Sequence, residues 1–520
     1  MTSTSIESDI VEFLSGAAAW GSGAVVPEMI ETHISRVFLI GNRAFKQKRH
    51  VKFPYLDFTT LSRRKSACLA EVAVNRRTAP DLYKGIVPVT RDRSGKFGLN
   101  GPGERVDWLV EMVRFDQQLL FDRLAARGRL GRSVMERTAD VIAGFHDRAE
   151  TVVDARGYAS VDQTITSNHK CFASVSPACL SFESLRSMDL LYDQRMKACG
   201  DFLDRRADAG LMRHCHGDLH LRNICLYKNQ PTLFDAIEFN AAFSHIDVLY
   251  DLAFLLMDLD FHEQRRLANV VMNRYFDVSG RAGEDPGNFN VLPLFLSMRA
   301  AVRSHVIMAQ EMAAEHTVKK SQQLEIAQAY FRVAINYLVA VPPRLIAIGG
   351  LSGSGKSTLA RLVAPTVGAA PGGRIVRSDV IRKRLAGCPL SESLDATGYS
   401  PEMTGRTYHA FYEEIQKCLV EGQSVIADAV CVRPEERQML AGIAEKVRVP
   451  FDGFWLDASL ENMQNRVSRR TDDVSDATVA VVAQQQNYDL GEVSWRRFNN
   501  NGSPATLQGT LACILSRVMP

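Results

Sequence analysis

With 520 residues, the chain is too long for one hydrophobic core, and two or three domains are expected because domains cluster at roughly 100–200 residues. A composition of 46% hydrophobic and 23% charged residues excludes the disordered and fibrous classes. The formal charge of +3 argues against a surface built mainly to neutralise nucleic-acid phosphates, so small ligands are the first expectation.

The N-terminal stretch MTSTSIESDIVEFL has early acids and no basic run ahead of an apolar one, so it does not read as a signal peptide; residues 1–30 read as a helical extension. Residues 31–52 hold two strand-like runs joined by Gly41-Asn42, which predicts a β-hairpin. A helix is expected over 60–79, stopped at Ala79-Pro80, followed by a strand in LYKGIVPVT. These elements make a small lobe over about 31–103. From 104 to about 341 apolar residues recur at helical spacing, as in DWLVEMVRFDQQLLFDRL, and predict a helical lobe. It is interrupted over 211–260 by HCHGDLHLRNICLY, the turn KNQP and TLFDAIEFN, and by an expected loop at 278–290. The most apolar run, Leu249–Leu259, is broken by Asp251 and Asp258 and falls short of the ~20 residues that span a bilayer. Ten cysteines run from Cys68 to Cys513 without a C-x-x-C pair or metal-ligand spacing, the pattern of reduced core thiols. A cytoplasmic protein with no membrane partner is expected. Val341-Pro342-Pro343 stops the preceding helix and marks the expected boundary of a last domain, 342–520. There Arg344–Gly349 reads as a buried strand, followed by a Gly-rich loop, a helix and further strands in RIVRSD, SVIADAV and FDGFWLDA, the order of a parallel α/β sheet. The fold class is therefore α+β followed by α/β.

Gly350-Leu351-Ser352-Gly353-Ser354-Gly355-Lys356-Ser357 fits G-x-x-x-x-G-K-[ST] with a strand before it and a helix after it. Its backbone N–H groups and the helix N-terminus at Ser357-Thr358 can cradle phosphates of ATP, with GTP an alternative. Lys356 can reach the outer phosphates, and Ser357 offers a hydroxyl to Mg2+. Asp379, at the end of the next strand, faces the ligand crevice and can take the proton of an attacking hydroxyl, with Arg382 binding acceptor or phosphate. Asp428 ends SVIADAV like a Walker B carboxylate, holding Mg2+ directly or through water. Arg466, Arg469 and Arg470 fall on one helix face, read either as phosphate ligands or as an exposed basic face. This segment resembles the P-loop small-molecule kinases that include zeta toxins, chloramphenicol phosphotransferase and the polynucleotide 5'-kinase domain. The resemblance implies a general base at Asp379 beside Arg382 and an arginine-bearing lid at Arg466 and Arg470.

His216-Gly217-Asp218-Leu219-His220-Leu221-Arg222-Asn223 follows kinase catalytic-loop logic, with Asp218 to accept a hydroxyl proton and Asn223 to hold a metal. Asp235, twelve residues on, stands where a second metal-binding aspartate is required. His214, His216 and His220 have no cysteine spacing to support zinc, and Glu238 and Asp251 read as acids that orient the loop and brace the next helix. The HGDLHLRN segment resembles the H-G-D-x-H-x-x-N of the aminoglycoside phosphotransferase family, a branch of the bilobal protein-kinase-like fold, over roughly 30–335. That resemblance implies a phosphate-binding lysine, Lys46 in Ala44-Phe45-Lys46 or Lys48 on the same strand face, with Glu71 as its ion-pair partner. No G-x-G-x-x-G loop precedes the strand, a departure from protein kinases.

In this order the two halves resemble bacterial bifunctional aminoglycoside phosphotransferase-like and ATP-binding proteins. The resemblance implies ATP, Mg2+ and two phosphotransfer sites acting on small-molecule hydroxyls. Alternatives are one catalytic half beside a nucleotide-binding regulatory module, an aminoglycoside-type resistance kinase, and a polynucleotide kinase resting only on the basic run Arg377–Arg384. Nucleic acid is not the expected partner, and neither the acceptors nor the oligomeric state is written in the sequence.

Overall fold

The structure, a computed structural model, describes residues 3–21, 25–53, 56–174, 180–313, 318–469, 474–502 and 514. Met1–Val153 with Met212–Leu252 forms one compact unit, and Asp154–Leu211 with Ala253–Pro520 the other.

The first unit is built on a six-stranded antiparallel sheet in the order Glu28–Glu31, Ser35–Ile40, Arg43–Lys48, Glu104–Val113, Tyr83–Arg91, Phe97–Leu99. The expected hairpin pairs Phe38 with Phe45 across Gly41-Asn42, and Gly41 takes the left-handed φ of 54° that the turn needs. Because side chains alternate along a strand, Phe45 packs with Ile10 and Leu14 of the helix Ser3–Ser15, while Lys46 and Lys48 face the other way. That second face is covered by the helix Leu61–Asn75, whose Thr60 side chain caps Arg63 N. Its buried stripe, Arg64, Cys68, Glu71, Val72 and Asn75, is unusually polar, and those polar groups lie where the site is built.

One expectation fails here. Residues 104–113 form the central strand of the sheet, not the start of a helical lobe. Val106, Leu109, Val110 and Val113 have helical spacing, but they serve two faces: Leu109 packs with Phe38 and Phe45, and Val110 packs with Cys68 and Val72. A register shift between Val89 and Thr90 turns Val106 to the same side as Leu109, which gives a strand the apparent period of a helix. Farther on, Ile224–Tyr227 and Gln230–Leu233 pair as a hairpin, with Lys228 and Asn229 both at positive φ (50° and 61°), the geometry of a type I′ turn.

The second unit holds a five-stranded, all-parallel sheet in the order Arg374–Arg377, Val425–Asp428, Leu345–Gly349, Phe451–Asp457, Arg496–Asn499. Ile346, Ile348, Ile426 and Leu456 pack with Leu359 and Val363 of the helix Lys356–Val363. The unit also contains the long helices Phe182–Asp208, Asn288–Ala313 and Val318–Leu338. Among the described residues, Asn288–Glu311 alone is long and apolar enough to cross a membrane, and 72% of its apolar window is buried inside the structure. The segment 278–290, read as a loop, carries the short helix Arg281–Glu284 and the start of this long one.

The compact units do not divide at Pro342, because the helix Arg265–Ser279 is bonded to the edge of the parallel sheet. Asn269, Asn273 and Asp277, at i, i+4 and i+8, share one helix face. Asn269 and Asn273 donate to Gly373 O (3.0 and 3.2 Å), Asn273 Oδ1 accepts Ile375 N (2.7 Å), and Asp277 meets Arg374 at 2.6 Å. Arg374, 1% exposed, also pairs with Glu414 at 2.9 Å. The side chains of one helix therefore replace the strand that an open edge lacks. An Asn273→Leu variant leaves Ile375 N–H buried without an acceptor, and the expected loss is about 1–3 kcal/mol, read as a lower urea midpoint at unchanged m-value.

Candidate active sites

In the first unit, five charged side chains from three segments converge. Lys46 Nζ donates to Glu71 Oε1 (2.9 Å) and to Asp235 Oδ1 (2.6 Å). Lys48 Nζ lies 2.5 Å from Glu71 Oε2 and also pairs with Glu238. The charges alternate as Asp235, Lys46, Glu71, Lys48, Glu238. Burial opposes the charge on Lys46, but Asp235 and Glu71 outweigh it and hold its pKa well above the ordinary lysine value. Burial likewise works against ionised Glu71, and the two lysines overcome it, bringing the carboxyl down to about 2. Burial pushes the Glu238 carboxyl up, against the pull of Lys48. Of the two lysines the sequence left open, Lys46 is the one that touches Asp235, and its side chain is 12% exposed against 1% for Lys48.

Asp235 has a φ of 60°, a left-handed conformation that costs energy for a residue with a side chain. Neighbouring bonds hold it: Asp235 N donates to Tyr83 Oη (3.2 Å), Ala236 N to Asn75 Oδ1 (2.8 Å), and Ile237 N to His216 O (3.0 Å). The start of the segment His216–Asn223 is fixed by Asp251, fully buried, whose carboxylate accepts His216 N (3.0 Å), Gly217 N (2.8 Å) and a contact from His146 Nε2 (3.2 Å). Gly217 is required at φ 84°, where a Cβ would lie 2.6 Å from Phe243 O. His216 accepts from Asp218 N at Nδ1 and bonds Phe234 O at Nε2, the pattern of a neutral ring, and burial pushes its pKa down accordingly. Asn223 Nδ2 donates to Asp218 Oδ2 (2.8 Å), which leaves the amide oxygen as the acceptor end of the side chain. Asp218 and Asp235 keep side chains 36% and 43% exposed. An exposed carboxylate and an amide oxygen are hard donors of the kind Mg2+ takes. His146, Cys215 and Asp251 also bring ligand atoms within 4.8 Å, but Asp251 is engaged by backbone N–H groups and Cys215 Sγ donates to Ile246 O, so this cluster is a brace.

In the second unit, the loop 350–355 leaves the central strand and enters the helix Lys356–Val363. Gly350, Gly353 and Gly355 have φ of 137°, 84° and 104°, and a Cβ at any of them would lie within 2.6 Å of Leu456 O, Met463 O or Asn500 Nδ2. Ser352 N donates to Gln485 (2.8 Å), Asn500 donates to Ser354 O (2.7 Å), and Lys356 Nζ donates to Leu351 O (3.1 Å). The Ser354 hydroxyl is buried without a hydrogen-bond partner, as a group that meets a phosphate oxygen would be. Thr358 is exposed in the first turn of the helix. Ser357 and Asp428 lie on either side of Arg377, which is 3.3 Å from each, and Asp428 Oδ2 is buried without an aligned hydrogen bond. The hydroxyl and the orphaned carboxylate oxygen again fit a hard cation. Arg466 donates to Gly353 O and Ser354 O (3.3 Å each) from the helix Leu460–Ser468; Arg470 lies outside the described residues.

Asp379 is half-buried; burial, then Asp476, raises the pKa of the Tyr399 hydroxyl, and burial, then Cys431 and Glu436, that of Tyr408, with Asp379 adding a smaller part to each. Arg382 does not stand open beside it. The guanidinium is buried and donates to Gly398 O (2.9 Å) and Thr404 Oγ1 (3.1 Å), so it shapes the loop opposite Asp379. Asn75, Tyr83, His146, Gln485 and Asn500 were not legible as site residues; only Asn75, polar on a buried stripe, carried a signal.

The sequence profile of the AAA domain matches residues 345–489. Over nearly the whole chain, the relatives include a protein of Mycobacterium tuberculosis strain H37Rv and one of Mycobacterium bovis, both described as uncharacterized. Each is 28% identical over 474 residues, covering 89% of this chain and 90% of the relative. Among solved structures, a choline/ethanolamine kinase family protein from Mesorhizobium loti is 13% identical and covers 64% of this chain and 98% of its own, with a TM-score of 0.37. A sugar kinase from Janibacter sp. is 20% identical and covers 34% and 97%, with a TM-score of 0.26.

Two tests follow from this geometry. In Asp251→Asn, one of the two backbone N–H groups faces an amide donor; the expected loss is about 1–3 kcal/mol, with faster amide exchange at Gly217. Burial, with Arg77 and His245 nearby, pushes His214 down to about 4, against about 6.5 in an unfolded chain. Between those values the unfolded chain binds the extra proton, so stability is full above 6.5 and falls as pH drops through the window. The melting temperature should decline from pH 7 to 4.5, and less steeply in His214→Gln.

Proposed function

We propose that the chain is an ATP-dependent phosphotransferase with two kinase-type sites that move the γ-phosphoryl group onto hydroxyls of small molecules. The observation that carries this reading is the contact of Lys46 with both Glu71 and Asp235, beside Asp218 held by Asn223. A phosphate-binding cation, a metal carboxylate and a proton acceptor thus share one surface. The hydroxyl oxygen attacks the γ-phosphorus as the bond to the β–γ bridging oxygen breaks; ADP departs and the hydroxyl proton passes to Asp218, or to Asp379 in the second unit. Asn223 and Asp235 would hold Mg2+ in the first site, Ser357 and Asp428 in the second, where the ion neutralises phosphate charge. Lys46 and Lys356 orient the phosphates, and the left-handed turn at Asp235 presents its carboxylate without reorganisation.

The side-chain pairing narrows the acceptor. In the basic run beside Asp379, Arg377 meets Asp428, Arg382 meets Gly398 and Thr404, Lys383 meets Asp476 and Arg384 meets Glu414. Because these cations already have partners, a polynucleotide acceptor loses its support and a neutral hydroxyl compound among Tyr399 and Tyr408 gains it.

The full chain should phosphorylate members of a hydroxyl-metabolite library with labelled ATP. Asp218→Asn and Asp379→Asn should each reduce a different product about 10²–10⁴-fold. Loss in Asp379→Asn alone would make the first unit a nucleotide-binding regulator. Products untouched by either variant would remove both assignments.

A further inference from the structure

We propose that Arg377 is a resident counter-cation that occupies the metal position of the P-loop site until nucleotide and its divalent ion arrive together. The inference rests on the P-loop reading above and concerns the order in which the site is filled. Ser357 Oγ and Asp428 Oδ2 are the two protein atoms that would hold the ion, and the Arg377 guanidinium lies 3.3 Å from both, through Nη2 and Nε respectively. The Asp428 side chain is 4% exposed and that of Arg377 11%. A carboxylate so deeply buried needs a compensating positive charge, and here the chain supplies its own. The contact with Asp428 is within ion-pair distance, but Oδ2 receives no aligned N–H, so the arginine neutralises the oxygen without using it as a directed acceptor.

Mg2+ binds oxygen at about 2.0–2.1 Å, inside the space the guanidinium fills, and two cations there would repel. Entry of a bare ion exchanges the Arg377 pair for one carboxylate and one hydroxyl, a poor gain for an ion that gives up water reluctantly. A nucleotide adds phosphate oxygens to the ligand set and also gives the displaced arginine an anion. Metal binding at this site should therefore depend on nucleotide.

The test uses Mn2+ as probe, titrated by electron paramagnetic resonance into nucleotide-free full chain carrying Asp235→Asn, which silences the other candidate metal site. With Arg377 intact, no tight site is expected. Arg377→Met should create one at least tenfold tighter, absent from the Arg377→Met/Asp428→Asn pair, while Arg377→Lys should behave like the parent. Arg377→Gln, uncharged and polar, runs beside the methionine variant so that misfolding of one leaves the other to decide. Mn2+ affinity that ignores the charge at position 377 overturns the proposal. Calorimetry of ATP binding to Lys356→Ala separates the two layers. An unchanged nucleotide stoichiometry and affinity would sink the P-loop reading itself, whereas loss of one equivalent with Mn2+ indifferent to Arg377 would sink the counter-cation alone.

Discussion

A charge taken out of water must be met by its opposite, and in this protein that constraint places the candidate catalytic groups. Glu71 has no exposed side-chain surface, so the strand Arg43–Lys48 and the helix Leu61–Asn75 can pack only with Lys46 and Lys48 turned toward it. Once they are, Lys46 has a second hand for Asp235 and Lys48 for Glu238. The small sheet is thereby tied to the loop after the hairpin Ile224–Leu233. Removing Glu71 would leave two lysines facing one another without their shared anion, in a medium where charges are expensive.

The same rule operates in the second unit around Arg374. Its strand is the outermost of the parallel sheet and would present unpaired N–H and C=O groups. Helix Arg265–Ser279 supplies amides to the backbone and a carboxylate to the guanidinium. Three residues on, that strand ends at Arg377, and two further at Asp379. The candidate groups Arg377 and Asp379 thus inherit their position from the clamp at Arg374.

Much of this was readable from the residues. GLSGSGKS and HGDLHLRN are dictated by local needs, close backbone approach in one and a fixed Asp-to-Asn spacing in the other, so short windows carry the signal. Four of the five parallel strands and the hairpin at Gly41-Asn42 follow from apolar runs and turn chemistry, whereas the strand order and the fifth strand, Arg496–Asn499, do not. What the sequence left open depended on long-range partners. Lys46 and Lys48 share a strand face, and only the reach of Asp235 separates them. Arg382 has the spacing of a ligand-binding arginine, but Gly398 and Thr404, which engage it, are more than a dozen residues away. His146 reaches Asp251 across 105 positions with no local mark. The strand at 104–113 was read as helix because an extra residue in it, Val106 opposite the step from Val89 to Thr90, altered which side chains share a face.

The path of the chain between the units has a consequence for biosynthesis. Residues 154–211 belong to the second unit, yet they are made before 212–252, which complete the first. On the ribosome the six-stranded sheet is whole once Val113 has emerged. Asp218, Asn223 and Asp235 reach it only after an intervening stretch whose own unit is still awaiting residues 253 onward. Until then Glu71, Lys46 and Lys48 have one another but neither Asp235 nor Glu238. The nascent chain therefore passes through a stage in which a folded sheet holds an incomplete charge cluster, and synthesis of one segment closes both the cluster and the candidate site in a single step.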